Sequence, residues 1–160
     1  MRLFLASEEL GGHADALRRM AGEGRKALFI TNAHDYYEPE RRVEYVDRKS
    51  RCLIDAGFEV TELDLRKYFD KAEELKAFVD DYVPDVVFSI GGNVFLLRTA
   101  MKLSGMDEII KEGVRTTDLS MAVIAPARWS RREIYAIMGM IIWSPKRCQK
   151  SMASRRSLTV

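Results

Sequence analysis

The 160-residue sequence is short of several residue types that usually announce a chemistry. It has two cysteines, Cys52 and Cys148, in neither a CxxC nor a metal-ligand spacing, so a disulfide framework is not expected. No metal site and no cofactor is implied either. Histidine is as scarce, with only His13 and His34, both early in the chain. Long apolar runs are missing: the stretch Ile134 to Trp143 has about half of the ~20 residues that a bilayer span needs. No charged start, apolar core and small-residue cleavage site opens the chain, so a secretory signal is not expected. A soluble, reduced, cytoplasmic protein with no membrane partner is the resulting expectation.

Acidic residues are missing from one region. Residues 1–126 hold 18 Lys and Arg against 23 Asp and Glu, while residues 127–160 hold 8 against Glu133 alone. Such a break divides the chain into a regular domain, 1–126, and a basic, atypical segment, 127–160. The basic pairs Arg131-Arg132, Lys146-Arg147 and Arg155-Arg156 suit phosphates, but no recognition motif accompanies them. Nucleic acid is therefore not an expected partner.

What is present is alternation. Met1 to Ala6 reads as a strand, with Ser7 as the N-cap of a helix running through Leu17 to a stop at Gly22 and Gly24. Ala27 to Ile30 is a second strand, Pro39 to Ala56 a charged helix closed by Gly57, and Phe58 to Leu65 a third strand. Lys71 to Tyr82 reads as a helix, Val86 to Ile90 as a strand, Val94 to Leu103 as a helix and Met106 to Lys111 as a short one. Met121 to Pro126 is a buried strand or a helix start. Strands alternating with helices predict an α/β fold, a doubly wound and mostly parallel sheet with helices on both faces.

Between the fourth strand and its helix lies SIGGNVFLLR, residues 89–98. In such sheets, ligands sit outside the carboxyl ends of strands. Gly91, Gly92 and Asn93 stand at one such end and at a helix N-terminus, where backbone N–H groups favour negative charge. The corner reads either as a tight turn with Asn93 as N-cap or as a cradle for a phosphate, carboxylate or oxyanion. It is neither a Walker loop nor a dinucleotide fingerprint.

These residues resemble the peptidase E group of serine peptidases, with its aspartyl dipeptidases and related cyanophycinases. The resemblance covers about residues 1–126. It rests on RLFLAS, on ALFITNAHDYYEP, on AGFEVTELDLR and above all on SIGGNVFLLRTAMKLSGMDEIIKEG, with Val94 where threonine is usual. It implies a class I glutamine-amidotransferase-like fold, incomplete at its C-terminal end, with Gly91, Gly92 and Asn93 at the oxyanion hole and a short peptide as substrate. It places the nucleophile in a Gly-x-Ser-Ala-Gly turn, where this chain offers Ser120 as candidate. Asp118 stands where glycine is usual, and no histidine follows Ser120 to act as base. Two functions stay open: a serine hydrolase of short peptides, or a non-catalytic relative that binds a small anion or another subunit. A sheet lacking its last strands exposes apolar surface, so a homo-oligomer or a marginally stable core is expected.

Remaining features carry plainer expectations. His34, in NAHDYY after the second strand, could face the carboxyl-end crevice in a catalytic role, but a surface-loop histidine is the commoner reading. The stretch Asp35 to Arg42 reads as a solvated helix start, or alternatively as a pocket rim where Arg41 or Arg42 holds a carboxylate. Arg98 and Lys102 share a helix face that reads as solvated, and Cys52 reads as a packed thiol.

Overall fold

The computed structural model describes residues 2–7, 10–116 and 120–125. Asp118, the tail's basic pairs, Glu133 and Cys148 lie outside the described residues. Along the chain run β1 (Arg2–Ser7), α1 (Ala14–Ala21), β2 (Lys26–Ile30), α2 (Pro39–Asp55), β3 (Glu59–Leu63), α3 (Ala72–Tyr82), β4 (Val86–Ser89), α4 (Val94–Ser104), α5 (Met106–Thr116) and β5 (Ser120–Ala125). The five strands form one sheet in the order β1-β5-β4-β2-β3, and every pairing is parallel.

The apolar residues of β2 show why the sheet needs cover on both sides. Leu28 and Ile30 point to one face, where they pack with Leu75 and Val79 of α3, Leu97 and Met101 of α4, and Met106 and Ile110 of α5. Ala27 and Phe29 point to the other, against Leu17 of α1 and Val46 and Leu53 of α2. A strand buried on both faces reads as a continuous apolar run, which ALFI of β2 and VVF of β4 both are. Phe29 and Phe88 meet across β2 and β4 with ring centroids 5.8 Å apart. The expected doubly wound α/β fold is the one observed.

Two local expectations need correction. Ser7 is not a helix cap: it closes β1 in register with Ala125, and the helix starts only at Ala14 after a 3-10 turn, Gly11–His13. Paired glycines at 11 and 12 are poor helix formers, so the first turn is delayed. The short helix after Gly105 is longer than expected, reaching Thr116. Gly105 separates α4 from α5 with φ of 79°, and a Cβ there would lie 2.7 Å from Ala72 Cβ. Glycine is required on both counts.

That turn also overturns the solvated reading of Arg98. It folds α5 back on α4, and the Arg98 guanidinium lies 3.6 Å from the Asp107 carboxylate with its side chain only 20% exposed. Helical spacing alone could not reveal a partner on the next helix. Cys52, half-buried on α2, packs against the core beside Leu53 as expected.

Candidate functional site

Chain direction singles out one place in this sheet. From β2 the chain leaves by α2 on one face to reach β3; from neighbouring β4 it leaves by α4 and α5 on the other face to reach β5. The two connections diverge and open a crevice between the carboxyl ends of β2 and β4, the usual ligand position in doubly wound sheets. Two short segments line it: the 3-10 turn Asn32–His34 after β2, and Gly91-Gly92-Asn93 after β4.

The segments lock together through the backbone. Ile90 N–H donates to the Ile30 carbonyl at 3.2 Å, and Asn93 N–H to the Ala33 carbonyl at 2.8 Å. The Asn93 side chain caps α4, its Oδ1 accepting from Phe95 N–H at 3.0 Å and Leu96 N–H at 3.2 Å. Asn93 is thus the N-cap that one reading of the sequence expected, and its own N–H is already engaged. No described residue accepts a hydrogen bond from the N–H of Gly91 or Gly92. Phe95, on the first turn of α4, is 79% exposed.

Gly92 answers why glycine stands there. Its φ of +158° lies at the edge of the range that side chains rarely adopt, and the space around it is tighter still. A Cβ at this position would lie 2.6 Å from His34 Cε1, 2.7 Å from the Ala33 carbonyl oxygen and 3.0 Å from Ala33 Cβ. The neighbouring turn leaves no room for a side chain.

His34 is not a surface histidine; it is 3% exposed. Its ring stacks on Tyr45 of α2 at 4.1 Å and meets Tyr37 edge-on at 4.9 Å. The aromatic residues around it in sequence, Tyr36 and Tyr37, close over it because the turn and the start of α2 fold onto each other. Its Nδ1 is buried with no hydrogen-bond partner among the described residues. Burial first, then the charges of Lys49 and Arg42, pull its pKa down to about 4. The ring is therefore neutral at physiological pH.

Beside it stands a polar network that the sequence reading missed. Asn32, fully buried, donates from Nδ2 to Asp35 at 2.8 Å and to Asp64 at 3.0 Å, and its Oδ1 accepts from Leu65 N–H at 3.1 Å. Thr31 donates to Glu62 at 2.8 Å and accepts from Arg42 at 2.7 Å. Arg42 also reaches Glu62 at 3.1 Å and Asp35 at 3.3 Å. Arg66 forks onto Asp64, the shortest contact 2.7 Å. Burial alone would raise the Asp64 pKa, but hydrogen bonds from Arg66 and Asn32 outweigh it and hold the carboxyl well below its usual range. The available signal was polar residues placed directly after two apolar strands.

Arg42 therefore does hold carboxylates, but they belong to this chain, and Arg41 lies over the Tyr37 ring at 4.4 Å. The solvated-start reading fails for Arg42 because α2 begins against the ends of β2 and β3.

Ser120 does not join this group. It opens β5 and pairs with Arg2 and Val86, at the amino end of the sheet. Gly91 follows the carboxyl end of β4. Five residues of strand separate the two levels, about 17 Å at ~3.3 Å per residue. The carboxyl end of β5, Ala125, is the end on the corner's side. His34 also lies at the carboxyl end, away from Ser120. Among the described residues no group of three or more His, Cys, Asp or Glu is arranged to hold a metal ion, and no helix is long and apolar enough to cross a membrane.

The model of one family, Peptidase family S51, matches residues 4–148 of the chain. The chain belongs to peptidase family S51. The match extends past residue 126, where the charge break had suggested a boundary. Among solved structures, the S51 chain is similar to a protein of Listeria monocytogenes EGD-e, provisionally named a peptidase E protein and solved at 1.5 Å. The two are 23% identical with a TM-score of 0.57 over 78% of this chain, and this chain spans 58% of the other's length. That likeness is one of fold. Among curated proteins there is no match.

Proposed function

We propose that this S51 domain takes a short peptide at the crevice between β2 and β4 and acts as a peptidase E-like serine hydrolase. The observation that carries the reading is the corner itself: Gly91 and Gly92 have N–H groups with no acceptor among the described residues, at the start of α4, where a developing oxyanion would be stabilised. Such a site needs a serine beside the corner, on the turn that follows the carboxyl end of a neighbouring strand. In this sheet the level of the corner is reached at Ala125, the carboxyl end of β5. Ser120, at the other end of β5, stands about 17 Å away by strand rise, too far to attack a carbonyl held there. His34, after the carboxyl end of β2, lies at the opposite end of the sheet from Ser120 and is not placed to be that serine's base.

The distance of Ser120 favours a second reading, a non-catalytic relative that uses the same corner to bind a small anion. A fluorophosphonate probe separates the two on the folded full chain, with Ser120→Ala beside it. Labelling that survives Ser120→Ala and maps after residue 125 is the expected result for the hydrolase. Labelling abolished by Ser120→Ala would make Ser120 the nucleophile and overturn its position at the amino end of β5. No labelling, with phosphate shifting the Gly91 and Gly92 amides, is the outcome for the anion-binding relative.

A further inference from the structure

We infer that His34 is a positioning residue for the glycine corner, the rigid wall against which Gly92 closes and which fixes the direction of the Gly91 and Gly92 N–H groups. For its functional meaning this rests on the oxyanion reading above; its geometry does not.

Three contacts from one turn converge on the corner. The Ala33 carbonyl accepts the Asn93 N–H at 2.8 Å, Ala33 Cβ flanks the Gly92 Cα, and His34 Cε1 stands where a Gly92 side chain would begin. The wall is itself held on several sides. His34 N–H donates to the Thr31 carbonyl and the His34 carbonyl accepts from Tyr37 N–H, both at 3.0 Å, while Tyr45 stacks on one face of the ring. Packed interiors transmit displacement because they have no slack, so the ring and the Gly92 backbone move together. An oxyanion site works only if its donors are aimed before the charge appears.

The buried Nδ1 has no protein partner among the described residues, so packing holds the ring in place rather than a hydrogen bond at that nitrogen. The ionisable groups that face it are Lys49 and Arg42 from α2, both cationic. Tyr36 and Tyr37 of its own segment and Tyr45 of α2 set their rings against it, and the corner contributes no titratable side chain. A proton on the ring would add a third positive charge to this cluster and set a cation against a corner built of N–H donors. The wall function therefore belongs to the neutral ring.

The test follows the Gly91 and Gly92 amides of the full chain by ¹⁵N NMR, with inorganic phosphate as the anion probe. In the wild-type chain the Gly92 amide is expected to move in step with protonation of the His34 ring. His34→Gln, similar in length but without a titrating ring, should abolish that movement. His34→Ala should shift and broaden both amides and weaken phosphate binding about tenfold, since the donors lose their fixed aim. Part of the stability lost in Gly92→Ala should return when His34→Ala is added. Unchanged amides in a folded His34→Ala protein, or a wild-type Gly92 amide that ignores the His34 proton, would overturn the inference. Should His34→Ala not fold, the wild-type titration alone decides. Phosphate that leaves the corner amides unmoved, with the His34 coupling intact, supports the positioning role while removing the oxyanion reading.

Discussion

At the carboxyl end of the sheet two neighbouring groups of polar atoms are treated in opposite ways. After β2 and β3, Thr31, Asn32, Asp35, Arg42, Glu62, Asp64 and Arg66 satisfy one another with contacts as short as 2.7 Å. After β2 and β4, His34 Nδ1 and the N–H groups of Gly91 and Gly92 meet no described acceptor or donor. Both regions are built from the same turn, one residue apart. The first network spends most of its polar atoms on holding structure, whereas a set of donors without described partners at a topological switch point is what a ligand site requires. The S51 chain thus anchors its crevice on one side and leaves it unfinished on the other.

Breaking the closed side should have the largest effect. Asn32→Ala leaves the Leu65 N–H and part of two carboxylates without partners, and should cost about 3–5 kcal/mol of unfolding free energy by urea denaturation. The same change should leave the fold of the Gly91 corner recognisable in surviving folded protein.

Acid sharpens the contrast. A buried histidine whose folded pKa is depressed binds its proton more readily when unfolded, so stability falls as pH drops from about 6.5 to about 4 and levels below that. The loss should reach about 3 kcal/mol at most, at ~1.4 kcal/mol per pKa unit, and should be absent from His34→Gln. Asp64 acts later. Its depressed pKa means that its stabilisation is lost only as pH falls below the ordinary carboxylate value. Melts across pH 7 to 3 would separate the two, and a wild-type curve flat from 6.5 to 4 would refute the first.

Gly92→Ala attacks the open side by overpacking. With three atoms at 3.0 Å or less from the new Cβ, about 1–3 kcal/mol of destabilisation is expected, and corner amide shifts should change more than those of the Asn32 network. The smallest effect serves as the control. Lys71 and Glu74, both well exposed at 3.3 Å, are remote from either group, and Lys71→Ala should change stability by about 0.3 kcal/mol.

Much of the fold was legible because the signals are local. Apolar runs ALFI and VVF gave β2 and β4, and Pro39, Gly57 and Asn93 marked helix ends within a residue or two of where they lie. Of the site, the glycine corner and the capping role of Asn93 were readable, since both depend on neighbours in sequence. His34 was misread as exposed because its burial depends on Tyr45, eleven residues on, and on Gly92 from another strand end. Arg98 was misread for the same reason, its partner lying on the next helix. Ser120 was chosen as the serine of a suitable stretch, but a stretch does not say which end of a strand it occupies.

The order of strands and helices, the double cover of the sheet and the corner at the head of α4 follow from the sequence alone, because periodicity, capping and turn chemistry act over a few residues. Tertiary structure decided the strand order β1-β5-β4-β2-β3, and with it the crevice between β2 and β4, the wall that His34 makes for Gly92 and the distance of Ser120 from both. Those outcomes depend on which elements bury their apolar faces against each other, and that choice is made by the whole core at once.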